Sequence, residues 1–451
     1  MFGHLSFRSR VVVGLLSMLV ATFVVEAGDR PLTFEDLMKF RQIRNASISE
    51  DGTWVAYALV PDRGDGEAVV RSTMTEEIFR IERGSKPLIS ADGRWVAAAI
   101  VPTLEEREKA EAKRAKKVSG KNDDKPKNGL SLLNLRTGSE ERIEKVEAFA
   151  FSDDGRWLAF RHSEEKEKPD EDSEEEAEEG KEKKKKPKLG TMMRLRNLTT
   201  GEEIAVEHVI DFVFAEQAPI LAFAVSAPEG EGNGVFARSL DRQGTPQSTI
   251  HQMEKGSYTH LEWAREATRL AFVAAVFDDE WRAGDAEIWV WRADGEATRM
   301  ASRDDAPEGW TVPAENELRW SRDGERVFFG FKPIEEEEAS DEIADDEESD
   351  PPFDAYDFEA LLDKRGVDVW HWNDPRIIPN QKERWEEHEK VRVYRAVVHL
   401  GSASVVMLAD LDLPEVRPAD NPRFALAGSD LPYLKEITWD GQYADLYVVD
   451  L

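Results

Sequence analysis

The chain has 451 residues, and its 92 acidic against 60 basic side chains give a formal net charge of −32. That excess argues against a nucleic-acid binder that reads phosphates through a basic surface. The absence of cysteine excludes disulfides, zinc–thiolate and iron–sulfur sites, a thiol nucleophile and the lipid-bearing cysteine of a lipoprotein. With 40% hydrophobic and 34% charged residues, the composition is that of a globular chain carrying solvated charged inserts.

Arg8 and Arg10 precede an apolar run from Val11 to Val25, and Val25-Glu26-Ala27 stands before Gly28. This order of charged, apolar and small residues predicts a secretory signal over 1–27 with cleavage after Ala27. The run is shorter than the about 20 residues that a helix needs to span a bilayer, so an uncleaved anchor is the lesser reading. The expectation is a periplasmic or secreted chain with no membrane span after cleavage.

One phrase then recurs: a serine, one or two polar residues, Asp-Gly, and an aromatic or aliphatic run. Its clear copies are Ser49 to Tyr57, Ser90 to Ala97, Ser152 to Phe160 and Trp320 to Phe329. Degenerate copies without Asp-Gly run from Phe212 to Ala224, Trp263 to Val273 and Val416 to Ala427. Asp-Gly between short apolar runs is a hairpin turn, because glycine takes a positive φ and aspartate bonds the backbone just beyond it. A second hairpin follows at Leu130 to Gly138, Met193 to Gly201 and Glu287 to Gly295. Two hairpins make four strands, and a four-stranded unit repeated about seven times predicts an all-β fold, a β-propeller over 28–451 with seven or eight blades.

Charged inserts interrupt the repeats at about 103–128, 163–190 and 334–365. Within the last, Glu335 to Asp350 holds 11 acids in 16 residues. Such blocks read as solvated loops or disordered tails, and none has the fixed carboxylate spacing and turn glycine of a calcium loop. The eight histidines show no H-E-x-x-H; His388-Glu389 opens that pattern, but Arg392 stands at the second ligand position. No cofactor or metal is expected.

The segment Val367-Asp368-Val369-Trp370-His371-Trp372-Asn373-Asp374-Pro375-Arg376 departs from the repeat, followed by a charged helical stretch from Gln381 to Lys390 and strands at Val391 to Leu400 and Ala403 to Ala409. Its tryptophans read first as packing anchors between blades, with Asn373-Asp374-Pro375 turning the chain. If any residues touch a substrate, they are Trp370, His371, Trp372, Asp374 and Arg376: the aromatics stack on a peptide, and the Arg376 fork binds a carboxylate.

The blade phrase Asp154-Gly155-Arg156-Trp157-Leu158-Ala159-Phe160, the opening Leu32-Thr33-Phe34-Glu35-Asp36-Leu37, the Lys/Glu-rich inserts and above all Val369-Trp370-His371-Trp372-Asn373-Asp374-Pro375 resemble the propeller part of bacterial serine peptidases of the prolyl oligopeptidase family. The resemblance runs from about Leu32 to the last residue. It implies a propeller that caps an α/β-hydrolase domain and gates access of flexible peptides to that domain's Ser, Asp and His. A nucleophile elbow needs G-x-S-x-G, and no serine here has glycine at both positions; Ser131 has Gly129 before it but Leu133 after it. No catalytic residue is therefore assigned. The final Trp439 to Leu451 matches the third strand of a blade with the fourth missing, so the chain reads as a fragment without its C-terminal hydrolase domain and inactive alone. The rival reading is a self-sufficient extracytoplasmic binding or scaffold propeller of TolB type.

Overall fold

The four Asp-Gly phrases close the same hairpin. In the third, the Ser152 hydroxyl donates to Asp154 Oδ1 at 2.6 Å and accepts the Trp157 N–H at 2.9 Å. Asp154 also accepts the Arg156 N–H at 3.0 Å, and the Gly155 N–H reaches the Ser152 carbonyl at 2.9 Å. Gly155 stands at φ 68°, the left-handed region that glycine enters without a Cβ clash. The same bonds recur from Ser49, Ser90 and Ser321. The serine thus ties the aspartate to the first N–H of the returning strand. The second hairpin has its own device: Asn134 Oδ1 accepts the N–H groups of Arg136 and Thr137, and Asn197 does the same for Thr199 and Thr200.

The computed structural model describes residues 31–116, 125–164, 188–241, 247–334, 374 and 381–451, apart from 267, 294, 383, 386–387, 389–390, 420, 422 and 437–439. Successive strands pair antiparallel into blades. The first sheet is β1 (Arg41–Ile48) to β4 (Ile78–Glu82), with β2 (Trp54–Pro61) and β3 (Glu67–Ser72) between; the second is β5 (Gly84–Ile89), β6 (Trp95–Ile100), β7 (Gly129–Asn134) and β8 (Glu140–Ile143). A seven-stranded sheet follows, from β9 (Val146–Phe151), β10 (Trp157–His162) and β11 (Thr191–Asn197) through β12 (Glu203–Phe214) to β13 (Ile220–Val225), β14 (Gly234–Ser239) and β15 (Ser248–Gln252). It is two blades sharing one strand: the first half of β12 pairs with β11 and its second half with β13. No glycine or proline interrupts 203–214, so the chain crosses between blades on a bulge, with His208 at φ 56°, instead of a loop.

The fifth blade is β16 (Gly256–Trp263), β17 (Arg269–Val276), β18 (Glu287–Arg292) and β19 (Thr298–Ala301). The sixth blade joins β20 (Trp310–Thr311), β21 (Arg319–Trp320), β22 (Arg326–Pro333), β23 (Tyr394–His399) and β24 (Ser404–Met407). The seventh holds three strands, β25 (Glu415–Pro418), β26 (Phe424–Ser429) and β27 (Asp445–Asp450). The seven expected repeats, degenerate ones included, are therefore seven consecutive blade units, and the fold is an all-β propeller.

Sheets stacked on both sides of a blade bury its second strand on both faces, so that strand reads as a continuous apolar run. Trp157-Leu158-Ala159-Phe160 is buried throughout, and Phe160, Phe223, Phe272, Phe328, Phe329 and Phe331 are fully enclosed. At each end of the series this covering is absent. β1 is exposed along its length, with Ile43 and Ile48 each 64% accessible, and β27 exposes Leu446 and Val448.

One expectation needs correction. The first charged insert begins as a helix rather than a loop: α2 spans Leu104–Lys116, after the short α1 (Phe34–Met38). The stretch is almost wholly Leu, Ala, Glu, Lys and Arg, the strongest helix formers. Thr103 and Glu106 cap its start reciprocally, Glu106 accepting the Thr103 N–H at 2.8 Å and Thr103 Oγ1 the Glu106 N–H at 3.2 Å. The other two inserts, and the signal segment 1–27, lie outside the described residues, except for a few positions at the insert ends. No described helix is long and apolar enough to cross a membrane.

Candidate functional site: the polar lining of the inner strands

First strands of neighbouring blades meet, β1 on β5, β9 on β12, β12 on β16 and β16 on β21, so these strands form the inner wall of the propeller. Four of them break register at one level: between Arg44 and Ser47, Ser85 and Leu88, Val209 and Asp211, and Thr259 and Glu262. Asn45, Lys86 and His260 sit at these bulges with φ of 51°, 47° and 52°. Counted from the serine of the turn phrase, or the alanine that replaces it, each lies four residues upstream, as do Asp211 and Glu317. A bulge re-aims a side chain, and here it repeats polar groups around one level of the inner wall. The signal in the sequence is the constant spacing of these residues from the turn.

Among these groups Asp211 is the most withdrawn from water. Its carboxylate accepts the Phe212 N–H at 2.9 Å and also takes a backbone bond from Leu261 of the next blade. Burial nevertheless raises its pKa above the ordinary aspartate value, against the pull of those N–H groups, Arg161 and His260. Arg161 is itself buried, its Nη2 3.3 Å from Glu147 and its Nε without a hydrogen-bond partner. Further round, a cavity of about 600 Å³ is lined by His260, Asn316, Glu317, Gly330 and Arg395 among others. Asn316 is fixed by two bonds to Gly330, donating to its carbonyl at 2.7 Å and accepting its N–H at 2.9 Å. Burial lowers the Arg395 guanidinium below its usual value; Glu317 opposes that shift and Arg319 adds to it.

A second cavity of about 510 Å³ opens where the inner strands of the fourth to seventh blades run into their turns. Phe214, Trp263, Trp320 and Phe328 supply its apolar wall, with Glu216, Glu262, Arg265, Arg319 and Arg322 around it. The tryptophans are held by the neighbouring blade. Trp320 Nε1 donates to the Glu262 carbonyl at 2.8 Å, and Trp263 Nε1 to the Val213 carbonyl at 3.3 Å, each acceptor lying two residues before its own blade's turn alanine. Desolvation of its carboxyl, then the like charge of Glu216, raise the pKa of Glu262.

Of the residues chosen from sequence, Trp370, His371, Trp372 and Arg376 lie outside the described residues. Asp374 is described only as a half-buried bend. Among the described residues no group of three or more His, Asp or Glu is arranged to hold a metal ion.

No protein-family model matches the sequence, and no curated protein matches it. Solved structures match it at low similarity. The β-propeller domain of the Trilobed protease from Pyrococcus furiosus is 10% identical, with a TM-score of 0.36, 91% of this chain and 93% of that chain being covered. A prolyl endopeptidase is 11% identical with a TM-score of 0.40 over 86% of this chain and 44% of its own. An acylaminoacyl peptidase from Pyrococcus horikoshii is 12% identical with a TM-score of 0.36 over 92% and 52%. The chain thus spans about half the length of those two peptidases. At these values the likeness carries no inference about chemistry, and the fold assignment stands on the blade series itself.

Proposed function

We propose that this propeller is the substrate-gating part of an exported serine peptidase of prolyl-oligopeptidase type, acting on peptides together with an α/β-hydrolase domain that carries the Ser, Asp and His. The observation behind this reading is the inner wall: bulged strands that place polar residues at one level, and two cavities of about 600 and 510 Å³ bordered by ionisable and aromatic groups. Pockets of this size, with a few convergent polar groups, suit a short extended peptide. The resemblance of Val369 to Pro375 supports the choice of family, and the absence of G-x-S-x-G from the 451 residues supports a binding role for this chain rather than a hydrolytic one. In this reading the segment Trp370 to Arg376 contributes Trp370, His371, Trp372, Asp374 and Arg376 to peptide contact.

The test is to express residues 28–451 alone and fused to a hydrolase domain of this family. The isolated chain binds short peptides without cleaving them, and cleavage appears in the fusion. Hydrolysis by the isolated chain refutes the assignment. Peptide-independent capture of one stable protein partner, with no peptide binding, favours the scaffold reading instead.

A further inference from the structure

In a chain of net charge −32, a guanidinium ordinarily finds a carboxylate. Many do: Arg196 is bonded to Glu141 and Glu203, Arg303 to Asp285, and Arg299 to Glu287. Three arginines that line one 510 Å³ cavity do not. Arg265, Arg319 and Arg322 form no ion pair among the described residues, although acids stand next to them in sequence. Two acids near Arg322 are engaged elsewhere. Asp323 accepts from Ser321 at 2.5 Å and from the Glu325 N–H at 3.1 Å, and lies 3.6 Å from Arg326. Glu325 is held by Arg269 at 2.9 Å. The two carboxylates in the cavity wall, Glu216 and Glu262, form no ion pair with these arginines among the described residues.

The cavity therefore pairs unspent guanidiniums with an immobile aromatic wall. Trp263 and Trp320 cannot swing away, because their indole N–H groups are bonded to the preceding blade at 3.3 and 2.8 Å. A guanidinium fork matches a planar carboxylate, and fixed rings accept an apolar body at small entropic cost. We infer that this cavity is a carboxylate-binding site, and that its ligand is the C-terminal residue of a peptide, the free α-carboxylate held by Arg265, Arg319 and Arg322 and an apolar side chain lying against Phe214 and the accessible edges of Trp263 and Trp320. The peptide identity rests on the gating role proposed above; the carboxylate chemistry does not.

The test uses the mature chain and three probes: an N-acetylated tetrapeptide ending in phenylalanine, its C-terminal amide, and N-acetylphenylalanine. Binding is read by calorimetry and by tryptophan fluorescence. The free-acid peptide is expected to bind at least tenfold more tightly than the amide, and less tightly as salt rises. Arg319→Gln with Arg322→Gln should abolish that preference at an unchanged melting temperature, because both side chains are exposed and unpaired. Arg319→Lys with Arg322→Lys keeps the charge and should restore part of it. Equal binding of acid and amide, or an undiminished preference in the glutamine variant, overturns the carboxylate site while leaving peptide gating intact. Tight binding of N-acetylphenylalanine with none of the tetrapeptide sustains the carboxylate site and removes the peptide reading. No binding of any probe overturns both.

Discussion

The Ser152 hydroxyl is the sharpest place to test how the turn phrase stabilises a blade. Ser152→Ala removes the acceptor of the buried Trp157 N–H and the donor to Asp154. The N–H has no alternative partner, since the backbone bond at this end of the hairpin runs the other way, from the Ser152 N–H to the Trp157 carbonyl at 2.9 Å. An unsatisfied buried N–H costs about 1–3 kcal/mol. Losing the Asp154 bond adds little, because that carboxylate has 37% of its side-chain surface in water and keeps the Arg156 N–H. The expected loss is about 2 kcal/mol. Ser49→Ala is the control: Trp54 is only half-buried, so its freed N–H can reach water and the loss should fall to about 1 kcal/mol or less. Urea unfolding of both variants, followed by tryptophan fluorescence, reads the difference. If Ser152→Ala costs under about 0.5 kcal/mol, or no more than Ser49→Ala, the hydroxyl is not what holds the hairpin.

Three further outcomes follow from the same geometry. Trp320→Phe keeps an aromatic wall but strands the Glu262 carbonyl, and should cost about 1 kcal/mol in urea unfolding; Trp263→Phe, whose bond is longer at 3.3 Å, should cost less. Gly190→Ala should lower the urea midpoint by the equivalent of about 3 kcal/mol or more, because a Cβ there overlaps the His208 carbonyl in the bulge between two blades, and backbone cannot yield as a side chain does. His251 lies 4.2 Å ring to ring from Trp289 and bonds the Tyr258 hydroxyl at 3.0 Å; burial holds its pKa below the ordinary 6.5, with Glu287 opposing. A depressed histidine contributes stability that is present above pH 6.5 and is lost as pH falls through the lower folded value. Melting temperature measured from pH 8 to 5 should therefore fall more steeply for the parent than for His251→Phe, and parallel curves would contradict it.

The repeat was legible because its cause is local. Asp-Gly sets a positive φ, a serine three before the glycine bonds across the turn, and the apolar run that follows must be buried on two sides, so each blade announces itself within about ten residues. That the phrases at Phe212, Trp263 and Val416 are blades too came from the same apolar frame, and each is a hairpin in the structure. Local reasoning failed where a competing local rule was stronger: Leu104–Lys116 was read by its charge as a loop, whereas helix propensity and the Thr103–Glu106 cap make it a helix. The shared strand β12 was also invisible, because a bulge at His208 carries no glycine or proline to mark it.

The candidate site belongs to the other category. Asp211 and His260 are 49 positions apart and come within electrostatic reach through blade stacking, whereas Arg319 and Arg395, 76 apart, do so because their strands flank β22 in one blade. Sequence alone determined the blades, their order and their turns, since turn chemistry and strand burial act over a few residues. Which side chains line the inner wall, and which arginines there are left without a carboxylate, was decided by the tertiary structure, since pairing and desolvation depend on what neighbouring blades place beside each group.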